Sequence, residues 1–280
     1  MRSPSTPRVT PPARDVWDEA RTRLAALATP TGALGRLGEL GAWLAAAQGQ
    51  VPPRPVSEVR AVVFAGDHGV SDHGVSAYPK AVTPAMVRGF VSGHAAVSVL
   101  ARQHGVALRV LDLGVDDDLA GLPPDVTAFK VRRGSGAIHL EDALTTEETQ
   151  RALEAGAAVA EEEIGAGADL LISGDMGIGN TTPAAALIAS TYGLPATEVT
   201  GRGTGVDDAG FAHKTAVVQQ ALDRVAGRDL DAVETLAALG SADLAASAGF
   251  MAAAARSHVP VLLDGLISVA AAVLADRLAP

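Results

Sequence analysis

The chain has 280 residues, 48% hydrophobic, 19% charged and only 3% aromatic, with a net charge of −10 and no cysteine. This composition excludes a disordered chain, a disulfide scaffold, thiolate metal sites and thiol catalysis. An acidic chain lacks the broad basic field that nucleic acid requires, and its longest uncharged apolar stretch, Gly265 to Ala275, falls short of the ~20 residues of a membrane span. A cytoplasmic protein with neither nucleic-acid nor membrane partners is expected.

Residues 1–14 hold four prolines and no apolar segment of a signal peptide, and read as a loose tail. Asp15–Ala28 and Leu34–Ala47 repeat apolar residues at helical spacing around the breaker Thr29-Pro30-Thr31-Gly32, which predicts a helical hairpin over 15–50 as a small domain. The proline-rich stretch Gln50–Pro55 leads into an alternating α/β region over 56–280. Short apolar runs at Val59–Ala65, Ala107–Leu113, Val126–Val131, Asp169–Ser173 and Val259–Leu263 predict strands. Helical patterns cover Thr83–Gln103, Thr145–Ala166 (opened by a capping box of Thr145 and Glu148), Thr181–Thr191, Asp207–Ala226, Leu230–Leu239 and Asp243–Ser257, with a last helix after Gly265. The fold class is α/β: a mostly parallel sheet with helices on both faces, Rossmann-like and three-layered, plus the small helical domain. Ligands of such sheets bind beside the loops at the carboxyl ends of strands, here Gly66–Lys80, Gly174–Asn180 and the loop starting at Asp264.

The strongest local signal is Gly174-Asp175-Met176-Gly177-Ile178-Gly179-Asn180-Thr181-Thr182-Pro183, a strand end, a glycine loop and a helix start. Glycines let backbone amides converge on an oxyanion, and a helix N-terminus favours phosphate. Asn180, Thr181 and Thr182 are candidate caps. The alternative is a tight turn with no ligand; the loop has neither a Walker Lys-Ser/Thr pair nor the spacing G-x-G-x-x-G. A second cluster, Gly201-Arg202-Gly203-Thr204-Gly205, precedes Lys214, which either joins a phosphate clamp or is a solvated helix residue. In the third cluster, Asp67, His68, Asp72 and His73 are not spaced to present metal ligands on one face, so Asp67 and His68 read as loop-bracing or substrate-contacting. Asp116-Asp117-Asp118 reads as a solvated turn.

These motifs stand in the order of one known family. Gly32-Ala33-Leu34-Gly35-Arg36-Leu37, Ala65-Gly66-Asp67-His68-Gly69-Val70, Pro79-Lys80, Gly174–Ala186, Gly201–Lys214 and Pro260-Val261-Leu262-Leu263-Asp264-Gly265 resemble the nicotinate-nucleotide:dimethylbenzimidazole phosphoribosyltransferase family, collinearly from about residue 15 to 280. The resemblance implies phosphoribosyl transfer from nicotinate mononucleotide to 5,6-dimethylbenzimidazole in cobalamin assembly, by a homodimer that needs no metal or other cofactor. It implies a phosphoribosyl site at Gly177, Ile178, Gly179, Asn180, Thr181, Gly201, Gly203 and Gly205 with Lys214 at the phosphate, and a base pocket at Tyr78, Met86 and Met176. Asp175 stands where the family commonly has Glu. The family's general base lies in an Arg-Leu-Gly-Glu-Gly-Ser-Gly motif that is not found in this sequence. Two expectations follow: an active transferase in which Asp175 stabilises the sugar cation or substitutes as base, or a truncated, non-catalytic nucleotide-binding relative.

Overall fold

A computed structural model describes residues 9–30 and 32–280. Residues 1–8 of the expected tail and Thr31 of the expected turn lie outside the described residues. Four parallel strands, β1 (Val59–Gly66), β2 (Ala107–Gly114), β3 (Leu170–Met176) and β4 (Val261–Leu263), form one sheet in the order β2-β1-β3-β4. The helices in chain order are α1 (Arg14–Ala25), α2 (Arg36–Gln48), α3 (Val82–Val91), α4 (Ala96–Gln103), α5 (Thr146–Gly165), α6 (Thr181–Tyr192), α7 (Ala196–Val199), α8 (Asp208–Val225), α9 (Ala232–Leu239), α10 (Ala242–Arg256) and α11 (Gly265–Leu278).

The strands are mostly apolar because both faces are covered, and side chains alternate between the faces. Val62, Phe64, Leu111, Leu113 and Leu171 join one core with α5 and α10, while Val63, Ala65 and Val110 join a second core with Val87, Phe90 and Val91 of α3. Two glycines bring α5 and α10 into backbone contact. A Cβ on Gly156 would lie 1.8 Å from the Ala246 carbonyl oxygen, and one on Gly249 would lie 2.1 Å from that of Leu153. Helix α10 is consequently buried from Ala242 to Ala254 and floors the carboxyl end of the sheet. Helices α1 and α2 pack on each other around a separate small cluster of Ala20, Ala42 and Ala45. No described helix is long and apolar enough to cross a membrane.

Two expectations about elements need correction. Val126–Val131 is not a strand: Pro124–Thr127 is one turn of 3-10 helix, and Lys130 Nζ then donates to Asp112 Oδ2 (2.8 Å) and to the carbonyls of Val115 (2.7 Å) and Asp117 (2.6 Å). The consecutive prolines at 123 and 124 start that turn, and the half-buried Lys130 ammonium pins the segment below the sheet edge. The helix expected over Thr83–Gln103 is two helices, because Gly93 takes a φ of +79° and turns the chain between α3 and α4. Asp116–Asp118 is a turn held by ion pairs from Asp117 to Arg88 (3.0 Å) and from Asp118 to Arg133. The capping box at Thr145 and Glu148 forms, with both reciprocal bonds present.

The strand order reverses between β1 and β3: the chain leaves β1 for β2 on one side and returns past it to β3 on the other. At such a switch point the loops after the two strands diverge and leave a crevice. The loops after β1 and β3 carry Asp67 and His68 on one side and Gly177–Asn180 on the other.

Candidate active site

Register places Phe64 beside Asp175 and Ala65 beside Met176, so the ends of β1 and β3 lie side by side. Gly177 is where the two loops touch: a Cβ there would lie 2.2 Å from the Gly66 carbonyl oxygen and 2.5 Å from His68 Nε2. Gly179 has a φ of +90°, which turns the chain into α6. The N-terminus of α6 carries no side-chain cap, which corrects the capping expectation. Asn180 instead donates from Nδ2 to Asp175 Oδ1, the Thr181 hydroxyl accepts from Lys214 Nζ (2.6 Å), and Thr182 Oγ1 is buried without a partner. The Ile178 amide donates to Thr83 Oγ1 (3.1 Å), and the amides of Asn180 and Thr182 donate to the carbonyls of Gly177 and Gly179. The fan of free amides is therefore narrower than the glycine spacing suggests, and the cationic grip falls to Lys214.

Lys214 lies on α8 and is only 1% exposed, which overturns the solvated-helix alternative. Burial pulls its ammonium down to about 8, and no carboxylate lies within ion-pair distance among the described residues. An anion supplied by a ligand would offset that desolvation. Gly203 backs the same ammonium, since a Cβ there would lie 2.7 Å from Nζ. Thr204 Oγ1 accepts from the Ala77 amide (2.9 Å) and lies 3.2 Å from Ser76 Oγ, stitching the second glycine loop to the segment that carries Tyr78. Gly201 and Gly205 have open space around them. Tyr78 is 56% exposed, Met86 is half-buried on α3, and Met176 packs on the second core of the sheet.

Beneath the loops lies a buried polar layer. The Asp116 amide donates to Asp67 Oδ2 (2.8 Å), and burial, opposed by this bond, raises the Asp67 carboxyl. Asp67 and His68 are 4% and 1% exposed and lie beneath the loops. His68 Nε2 lies 3.4 Å from Oδ2 of Asp243, a fully buried residue in the first turn of α10. Asp175 is driven well above the usual carboxylate range by burial and by the charge of Asp243 beside it. Burial also pushes Asp243 upward, but the charge and hydrogen bonding of His68, with bonds from Asp175 and Ser241, outweigh it and hold Asp243 low. The two shifts therefore run in opposite directions, Asp175 upward and Asp243 downward.

Sequence reasoning missed Asp243. The segment Gly240-Ser241-Ala242-Asp243 reads as an ordinary helix start with an acidic first turn. The usable signal was a lone charge opening a helix of almost unbroken small and apolar residues. An apolar hollow of about 430 Å³ is lined by Trp43, Met251, Pro260, Leu263 and Asp276 among others and shares no residue with the glycine loops. Among the described residues no group of three or more His, Asp or Glu is placed to hold a metal ion.

A switch-point crevice with a helix N-terminus, two glycine loops and one buried, unpaired ammonium defines an α/β protein that handles a phosphorylated group. Residues 9–280 match a family model described as phosphoribosyltransferase. The nicotinate-nucleotide–dimethylbenzimidazole phosphoribosyltransferase of Mycolicibacterium paratuberculosis is 55% identical over 274 residues, covering 97% of this chain and 77% of the relative. That of Mycobacterium tuberculosis is 53% identical over 261 residues, covering 93% and 72%. The crystal structure of CobT from Thermus thermophilus superposes with a TM-score of 0.89 at 43% identity, covering 95% of this chain and 79% of the other. The chain belongs to the nicotinate-nucleotide–dimethylbenzimidazole phosphoribosyltransferase family.

Proposed function

We propose that the chain transfers the phosphoribosyl group of nicotinate mononucleotide to 5,6-dimethylbenzimidazole, releasing nicotinate and α-ribazole 5′-phosphate for the nucleotide loop of cobalamin. The observation that carries this reading is Lys214: a buried ammonium, bonded to Thr181 at a helix N-terminus and backed by Gly203, with no protein carboxylate paired to it among the described residues. A 5′-monophosphate is the anion that satisfies it, and a monophosphate calls for no metal ion. The names of the relatives favour this activity over a non-catalytic nucleotide binder.

In the proposed reaction an acceptor ring nitrogen attacks the ribose anomeric carbon as the bond to the nicotinate nitrogen breaks and its electron pair returns to nicotinate, while the acceptor's other ring nitrogen gives up its proton to solvent. The sugar passes through an oxocarbenium-like cation, as in glycoside chemistry. Gly177, Ile178, Gly179, Asn180 and Thr181 line one side of the phosphoribosyl group, and Gly201, Gly203 and Gly205 the other. The Asp175–Asp243 pair carries one negative charge between two carboxyls, and its field stabilises the cation. Tyr78, Met86 and Met176 form the acceptor side, where an aromatic ring and two adaptable thioethers suit a planar apolar base. Asp67 and His68 support the loops.

Incubating the protein with nicotinate mononucleotide and dimethylbenzimidazole, then separating products chromatographically, tests the reading; α-ribazole phosphate is expected. Saturable nucleotide binding without product would instead favour the non-catalytic alternative. We further infer a cytoplasmic homodimer. Leu37, Leu40 and Trp43 on α2, with Leu262, Leu263 and Leu266 near the sheet edge, expose large apolar side chains of the kind that subunit contacts cover. Sedimentation at micromolar concentration should give twice the chain mass.

A further inference from the structure

We propose that Thr83 is a positioning residue of this site: from the first turn of α3 its hydroxyl sets the Gly177–Ile178 peptide of the glycine loop, and so aligns that loop with the helix that carries Met86. This role rests on the transferase reading for its kinetic test, though not for its structural one.

The Gly177–Ile178 peptide is held at both ends. Its N–H donates to Thr83 Oγ1 (3.1 Å), and its C=O accepts from the Asn180 amide (3.2 Å). The two groups of a trans peptide point to opposite sides of the chain, so together these bonds fix its plane. The Thr83 side of that grip has no substitute. Thr83 is 0% exposed and Ile178 is 6% exposed, so solvent does not serve the amide, and a buried N–H without an acceptor is costly. Glycine at 177 removes the side chain that would otherwise resist rotation of the plane.

Place in the fold gives the bond its functional meaning. Thr83 and Met86 stand three residues apart on α3 and so share one of its faces. Around them the contact between α3 and the end of β3 is apolar, with Met176 packed against the cluster that contains Val87. Such contacts are non-directional and hold a helix near a loop without fixing how the two are aligned. The Thr83 bond is directional, and among the described residues no other hydrogen bond joins α3 to residues 174–180. It therefore ties the side assigned to the acceptor to the loop assigned to the phosphoribosyl group. Thr83 has no exposed surface of its own and acts through the peptide.

The test compares the wild-type protein with Thr83→Val, which keeps the shape and loses the hydroxyl, and Thr83→Ser, which keeps the hydroxyl. Thr149→Val is the control: Thr149 is an equally buried threonine on α5 whose hydroxyl donates to the Thr145 carbonyl (2.9 Å). With saturating substrates Thr83→Val should lose about 10-fold in kcat while KM for nicotinate mononucleotide stays within about twofold, because alignment is lost and the Lys214 grip is not. Thr83→Ser and Thr149→Val should both keep kcat within about twofold of the wild type. Hydrogen exchange followed in spectra of isotope-labelled isoleucine gives a readout without substrate. The Ile178 amide should exchange about 10-fold faster or more in Thr83→Val, with that of Ile172 on β3 unchanged. Wild-type kcat in Thr83→Val, an unchanged Ile178 exchange rate, or an equal loss of kcat in Thr83→Ser overturns the proposal. An equal loss in Thr149→Val overturns it too, since removing any buried hydroxyl would then suffice. Should Thr83→Val not fold, Thr83→Ala is read by the same two measurements. A wild type that forms no product counts against the transferase reading alone, because the exchange comparison still decides what Thr83 holds.

Discussion

The two glycine loops resemble each other in sequence and differ in why they need glycine. In the loop after β3, Gly177 is packed so tightly against Gly66 and His68 that a side chain has no room. In the loop before α8, Gly201 and Gly205 face open space, and Gly205 is required only by its φ of +89°. The first loop is part of the sheet's framework; the second is a flap held by Thr204. Within the second loop only Gly203 is closely packed, where a Cβ would lie 2.7 Å from Lys214 Nζ.

The sharpest way to break that contrast is Gly177→Ala. Overpacking against the Gly66 carbonyl should destabilise the protein by about 3 kcal/mol and abolish activity, with a melting temperature lower by roughly 6–12 °C in calorimetry. Next is Lys214→Met, which removes a buried charged hydrogen bond. It should lower kcat/KM for nicotinate mononucleotide by about 10- to 150-fold without loss of thermal stability, because an uncompensated buried charge goes with it. The same lysine predicts a pH signature. Its folded value of about 8 lies below the ordinary lysine value of 10.5. Between those two values the unfolded chain holds the proton that the folded protein has released, so stability rises with pH across that window. Nucleotide affinity, which needs the ammonium, should fall above about pH 8 in the wild type and stay flat in Lys214→Met; calorimetric titration reads both.

Thr204→Val, which cuts the tie between the flap and Ser76-Ala77, should cost about 1 kcal/mol, lower the melting temperature by roughly 2–4 °C and raise KM for the acceptor by roughly fivefold. The smallest effect belongs to Gly201→Ala. That glycine has neither a positive φ nor a neighbour within 4 Å. Stability should therefore stay within about 0.5 kcal/mol. A large loss there would show that the flap is packed as tightly as the opposite wall.

Much of the architecture was legible in the sequence because buried parallel strands and capped helices write local signals: Val59–Ala65, Asp169–Ser173 and the Thr145 box are examples. Val126–Val131 misled because its apolar residues pack beneath the sheet without joining it, a distinction periodicity does not carry. The glycine loops and Lys214 were visible as types, but one dimension could not tell a buried lysine from a solvated one. Asp243 was invisible as a site residue, since its meaning comes from Asp175 and His68, both distant in the chain. The Asp175–Asn180 bond was equally hidden, because Asn180 suited the role of helix cap so well.

The pinning of α10 against α5 has a consequence for how such a protein can change. With backbone meeting backbone at Gly156 and Gly249, the helix that carries Asp243 cannot slide or tilt to suit a larger occupant above it. In the proposed reaction a new acceptor ring is met at the exposed rim, where Tyr78 is 56% exposed. Innovation in this scaffold is therefore confined to its edge.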